Sequence, residues 1–370
     1  TMRIGFIYFH HIHHVYHSVP IAFELSSRGF KVDLIVTSES VKKVIDELTE
    51  LYPRQKCKIV ILKGTVSYRY NYIRRKKYPR PKIMMEKYAH KLNQYDILVG
   101  TSFETHRLFD QFGVNNPKYV FTFHGIGVRD YGFQSSLKRY DLLLLPGKSI
   151  VEYLVKSELV NEGNWEVIGY PKFDFIERNK KTFNSIFPEK RPIIIYNPHW
   201  NKKVSSWYDW GKKVLEFFLS STDYNLIFAP HILIKEWKQR WLKLAKYQTA
   251  PHIHIDLGSH RLIDMTYTRI ADAYLGDVSS QVFEYINEPK PCLFLNCQDL
   301  KREKERDFPQ WKFGNIVSDF NDLPGKLDAI FDDHPNFIDN QKTFIQSTFD
   351  SNDLSSGQRG ADAIIKRFSL

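Results

Sequence analysis

Twice along this chain short apolar runs alternate with amphipathic stretches, and one polar segment separates the two series. The first series predicts strands at 3–9, 31–37, 58–62, 96–100, 119–123, 142–145 and 165–168, with helices at 19–28, 40–51, 82–92, 104–112 and 149–155. The second predicts strands at 193–196, 225–229, 252–255, 273–275 and 291–296, with helices at 207–219, 234–246, 262–269 and 279–286, and then three helices over 319–370. Strands alternating with helices build parallel sheets, because a crossover that holds a helix returns the chain to the same end of the sheet. At 370 residues the chain also exceeds the length that one core usually supports. The predicted fold class is α/β: two Rossmann-like, doubly wound parallel-sheet domains with a cleft between them. The polar stretch 178–190, which runs into Pro188 and Pro192, sets the boundary. It divides the chain into an N-terminal domain over 1–180, a C-terminal domain over 181–350 and a last helix over 351–370 that packs back toward the first domain.

Composition narrows the class further. A hydrophobic content of 42% is ample for packed cores. No apolar run reaches about 18 residues, the length a membrane-spanning helix needs. The start reads as a core strand rather than a secretory leader, with Thr1 an addition ahead of Met2. Cys57, Cys292 and Cys297 are too few and too unevenly spaced for a disulfide framework or a zinc site, so a reducing cytoplasm is the expected compartment. The net charge of +11 is concentrated: from Lys63 to Lys91 ten Lys or Arg residues stand against one acid, Glu86. Within that segment Tyr68, Tyr70, Tyr72, Tyr78 and Tyr88 interleave with Arg74, Arg75, Lys76 and Lys77, and Pro79 and Pro81 interrupt any helix. Cations among aromatics suit an anionic membrane, where each basic residue contributes about 1 kcal/mol. They equally suit nucleic acid, an anionic polymer, or a solvated loop with no partner.

Four polar clusters follow predicted strands, the position where open parallel sheets bind ligands. In Ala271–Tyr285 a strand stops at Asp277 and a helix starts at Ser279 and Ser280. Free N–H groups at a helix start form a phosphate site, although Asp or Ser there also serves as a plain N-cap. His124 follows a strand and precedes Gly125 and Gly127, which fits a general base that a ligand approaches closely, or a histidine packed under a turn. Asn197, His199 and Trp200 follow the 193–196 strand, and His231 follows Pro230. His231 reads either as a donor to phosphate oxygens or as a core histidine. Five histidines crowd His10–His17 after the first strand. The loop offers no carboxylate or thiolate partner for a metal, so acceptor binding by His13 and His14, a metal site and a structural loop all stay open.

The order of these motifs carries a resemblance. His124-Gly125, then Gly169-x-Pro171-x-x-Asp174, Asn197-Pro198-His199-Trp200, Pro230-His231 and Asp277-x-Ser279-Ser280-x-x-Phe283-Glu284-Tyr285 together resemble the CDP-glycerol glycerophosphotransferase family of teichoic-acid primases and polymerases and their capsule-synthesis relatives. The similarity spans 95–300 and is strongest over 119–285. It implies a GT-B arrangement and transfer of glycerol or ribitol phosphate from a CDP-activated donor to a hydroxyl of a cell-surface polymer or lipid-linked precursor. His124 and His231 would then be catalytic. Ser279, Ser280, Asp277, Glu284, Asn197 and His199 would hold the donor, with Glu284 spaced to meet a ribose hydroxyl. Gly125, Arg129, His13 and His14 would serve the acceptor, with Lys172 a further phosphate contact, and Arg74, Arg75, Lys76 and Lys77 a membrane or polyanion. No cofactor, resident metal or nucleic-acid partner is expected, and the enzyme would work in the cytoplasm at the inner face of the membrane. Transfer from a nucleotide sugar and a non-catalytic binding role are the alternatives.

Overall fold

The structure is a computed structural model that describes residues 2–9, 11–64, 80–124, 135–178, 186–231, 234, 244–300 and 308–370. His10, the cluster Arg74, Arg75, Lys76 and Lys77, and the residues Gly125 and Arg129 lie outside the described residues. The chain forms two compact units, one of residues 1–180 with 346–370 and one of residues 181–345.

In the first unit seven strands form one sheet: β1 (Arg3–Tyr8), β2 (Lys31–Val36), β3 (Lys58–Ile61), β4 (Ile97–Gly100), β5 (Lys118–Thr122), β6 (Leu142–Leu145) and β7 (Trp165–Val167). Their order is β3-β2-β1-β4-β5-β6-β7, every neighbour parallel. All residues of β4 and β6 are buried, as strands covered on both faces must be. The second unit repeats the scheme with β8 (Ile193–Asn197), β9 (Asn225–Phe228), β10 (Ile253–Ile255), β11 (Ala273–Gly276), β12 (Cys292–Leu295) and β13 (Asn315–Val317). Its order is β10-β9-β8-β11-β12-β13, again parallel throughout. The order reverses between β1 and β4 and between β8 and β11. These are the switch points whose carboxyl edges hold ligands in doubly wound sheets.

Several predicted elements need correction. The expected helix over 262–269 is a 3-10 turn at His260–Leu262 and a short helix at Thr266–Ile270, because Met265 adopts a left-handed φ of 67° that no helix can pass through. The expected helix over 104–112 begins as a 3-10 turn at Phe103–His106 and has α geometry only over Arg107–Asp110. The tail holds four helices rather than three: Leu323–Asp328, Ile330–Asp333, Ile338–Thr348 and Ser356–Phe368. Pro335, in the 3-10 turn His334–Asn336, separates the second from the third. Most of the helix expected over 234–246 lies outside the described residues.

Each unit secures the loop after its first strand in the same way. The Tyr8 hydroxyl meets Ser18 Oγ at 2.8 Å, ahead of the helix Val19–Ser27. The Tyr196 hydroxyl meets Ser206 Oγ at 2.8 Å, ahead of the helix Trp207–Ser220. The last helix joins the first unit, where it packs on Val19–Ser27. Its start is held by Asp174, whose carboxylate accepts the N–H groups of Ser356 at 3.0 Å and Gly357 at 2.7 Å. Gly169, at a left-handed φ of 84°, passes so close that a Cβ would lie 2.5 Å from the Asp350 carbonyl oxygen. The Gly169-x-Pro171-x-x-Asp174 motif is thus the socket for this helix.

Candidate active site

At the first switch point, three segments end together. The chain leaves β1 through Phe9 and enters a 3-10 turn at Ile12–His17, where the sequence suggests a loop. A turn of this kind puts residues three apart on one side, which aligns His14 with His17. Thr101 is the first residue after β4 and His124 the second after β5. The His124 ring lies 4.2 Å from that of His14, 5.9 Å from His13 and 6.4 Å from His17, measured between centroids. The His124 Nδ1–H donates to the Thr101 carbonyl oxygen. A carbonyl only accepts, so this bond fixes the tautomer and puts the basic lone pair on Nε2. Phe103 packs its ring 5.4 Å from that of His124. His17 is 3% exposed and well below the usual imidazole range, first through burial and then through the charges of Lys172, His124 and His13. Lys172 itself is buried, 6.0 Å above the Tyr16 ring, rather than offered to solvent.

At the second switch point the controlling residue is Asp277, the first residue after β11. Its Oδ2 accepts the N–H groups of His199 and Ser206, both at 2.8 Å, and so fixes the shape of the loop that leaves β8. Burial pushes its carboxyl up to about 7 against these stabilising hydrogen bonds. Its Oδ1 is buried without a hydrogen-bond partner among the described residues. Gly276 lets β11 approach β8 at this point, since a Cβ there would sit 2.8 Å from the Asn197 carbonyl oxygen. His199 Nδ1 accepts the Asn201 N–H at 3.0 Å, which puts a proton on Nε2. The rings of His199 and His231 are 5.8 Å apart, and Trp200, 44% exposed, stacks on His199 at 5.5 Å. The His231 N–H donates to the Pro198 carbonyl oxygen at 3.1 Å, and burial pushes its imidazole down to about 4.

These positions revise several roles expected from sequence. Asn197 is 0% exposed, with its amide nitrogen donating to Ala229 at 2.6 Å and its oxygen accepting from Tyr274 at 3.1 Å, so it buckles three strands and does not face a donor. Asp277 neither caps a helix nor lies in the open; it shapes the loop from β8. The helix after the serines spans only Gln281–Tyr285, and Ser280 makes no side-chain cap. Ser279 is buried and its Oγ accepts the Gln281 N–H at 3.3 Å, whereas Ser280 is exposed. Glu284 is half-buried on this helix. Trp200 has no assigned role in the sequence reading, and its exposure beside two imidazoles is the sign of one. His13, His14 and His124 come together within the first unit; His231, His199, Asp277, Ser279 and Ser280 belong to the second.

Two doubly wound parallel sheets with polar clusters at their switch points define the GT-B class of fold. Solved structures agree on the fold. The wall teichoic acid polymerase TagF soaked with CDPG matches with a TM-score of 0.65 at 17% identity, over 99% of this chain and 88% of that one. The S. aureus MnaA–UDP complex matches with a TM-score of 0.66 at 14% identity, over 100% and 98% of the two chains. No curated protein sequence matches this chain. The model of the CDP-glycerol:poly(glycerophosphate) glycerophosphotransferase family matches residues 37–366, and the chain belongs to that family. It is an enzyme that transfers a polyol phosphate from a CDP-activated donor to a polymer.

Proposed function

We propose that His124 is the general base of this transfer and that the second unit binds the donor. The acceptor hydroxyl attacks the phosphorus that carries the polyol, its proton passes to His124 Nε2, and CMP leaves with the electrons of the broken P–O bond. The observation that carries this reading is the His124 Nδ1–H bond to the Thr101 carbonyl, which holds the imidazole in the proton-accepting tautomer at a sheet switch point. In the second unit, His231 and His199 are suited to donate N–H bonds to the diphosphate as CMP departs, joined by the Ser279 and Ser280 segment. Glu284 is suited to hold a ribose hydroxyl, and the exposed Trp200 offers a face for stacking cytosine. Residues 1–180 with 346–370 would serve the acceptor and 181–345 the donor.

The acceptor we infer is a glycan or lipid-linked precursor at the cytoplasmic face of a membrane. The excess of cations over Lys63–Lys91 supports it, and no helix among the described residues is long and apolar enough to cross a membrane. Release of CMP from CDP-glycerol and from CDP-ribitol, with UDP-sugars as controls, tests the assignment. His124→Ala should lower turnover by about two orders of magnitude with the fold retained. Near-full turnover would refute the base role, and turnover of a UDP-sugar alone would refute the donor.

A further inference from the structure

We propose that His13, His14 and His124 form a binding site for a zinc-class divalent ion, and that occupancy of this site blocks the transfer. The three residues come from two distant stretches of chain, the turn after β1 and the end of β5. One nitrogen from each lies within 4.8 Å of the other two. In a tetrahedral zinc site with bonds of about 2.0–2.1 Å, nitrogens stand about 3.3 Å apart, so ring rotation closing about 1.5 Å completes the geometry. Neutral imidazole is a preferred ligand of zinc, copper and nickel ions, and three of them leave one position for water or a phosphate oxygen.

Two features make this more than a crowd of histidines. His124 has its Nδ1–H bound to the Thr101 carbonyl, the outer bond that orients metal-ligating histidines, and Nε2 is left as its one coordinating atom. His17, fully buried 6.5 Å from the His13 ring, has an Nδ1 with no hydrogen-bond partner among the described residues, so a fourth imidazole backs the cluster. The neighbouring charge of Lys172 disfavours a bare cation, and an anionic oxygen in the open position offsets it.

The blocking effect follows from the lone pair. His124 Nε2 can accept a proton or bind a metal, not both. This consequence rests on the base role proposed above, whereas the site itself does not. The chelator-treated full chain is titrated with Co2+, read by its visible absorption, and with Zn2+, read by calorimetry. One ion should bind per chain, and His13→Gln, and separately His14→Asn, should weaken binding at least about tenfold with the melting temperature held as the folding check. Zn2+ should inhibit CMP release, each variant being compared with its own metal-free rate, and the inhibition should weaken in step with binding. No bound Co2+, or binding undiminished in both variants, overturns the site and leaves the base role standing. Binding weakened by the variants but without inhibition overturns the blockade and with it the role of His124 as base.

Discussion

Asp277 Oδ2 accepts the His199 N–H at 2.8 Å, tying the first residue after β11 to the second residue after β8. The same oxygen takes the Ser206 N–H, so a single buried carboxylate sets both ends of the loop that carries His199 and Trp200. The shape of the loop that carries His199 and Trp200 therefore depends on a group that never reaches the surface.

That carboxylate makes stability depend on pH with a definite sign. Burial raises its pKa to about 7 in the folded chain, while the unfolded chain ionises near the ordinary 3.8. Across this interval the folded state holds the extra proton, so the contribution is fully present below pH 4 and is lost as pH rises through about 7. The loss is at most on the order of 4 kcal/mol. Asp277→Asn should flatten the stability difference between pH 5 and pH 8 in urea denaturation. An unchanged difference would show that Asp277 does not titrate in this range.

His231, held at about 4, is neutral throughout the pH range of most assays. His231→Ala should cost about 10²- to 10³-fold in kcat through loss of one preorganised donor, and His231→Gln, which keeps an N–H, should cost less. Neither should move the acidic limb of the pH–rate profile above pH 5. A displaced limb would mean that His231 carries the titrating proton.

Asp174 holds two N–H groups at the start of Ser356–Phe368. Asp174→Ala should therefore destabilise the chain by about 1–2 kcal/mol, the range for a lost helix cap. Limited proteolysis should cut sooner near 350–355, and Asp174→Asn should recover part of the loss. Equal protease resistance in Asp174→Ala would show that the helix does not depend on this cap.

Gly276→Ala should cost about 1–3 kcal/mol, because the added methyl would lie 2.8 Å from the Asn197 carbonyl oxygen and 3.0 Å from the fully buried Tyr274 side chain. Donor affinity should fall with it, because the donor site proposed above is built on the segments that leave β8 and β11. Thermal melting together with CMP binding checks both effects, and wild-type values in each would remove Gly276 from the account.

The strands were legible because parallel strands buried on two faces need unbroken apolar runs, as in Leu142–Leu145. β13, only three residues long and preceded by Gly314, carries no such run and is not legible in the sequence. His124 could be read from its place after a strand. Its encounter with His13 and His14 could not, because it joins residues more than a hundred positions apart through sheet order. Asn197 and Asp277 looked like ligand contacts because polar side chains at strand ends usually are. Burial shows that the Asn197 amide and Asp277 Oδ2 hold protein backbone and side chains instead.

The return of residues 346–370 to the first unit also dictates an order of events at the ribosome. The helix Val19–Ser27, which sets Pro20 and Ile21 against Gly357 and Gly360 of the last helix, emerges early, yet this cover is translated only after all of the second unit. Throughout that interval a nascent apolar surface stays open to solvent, which is where premature association or chaperone capture would act.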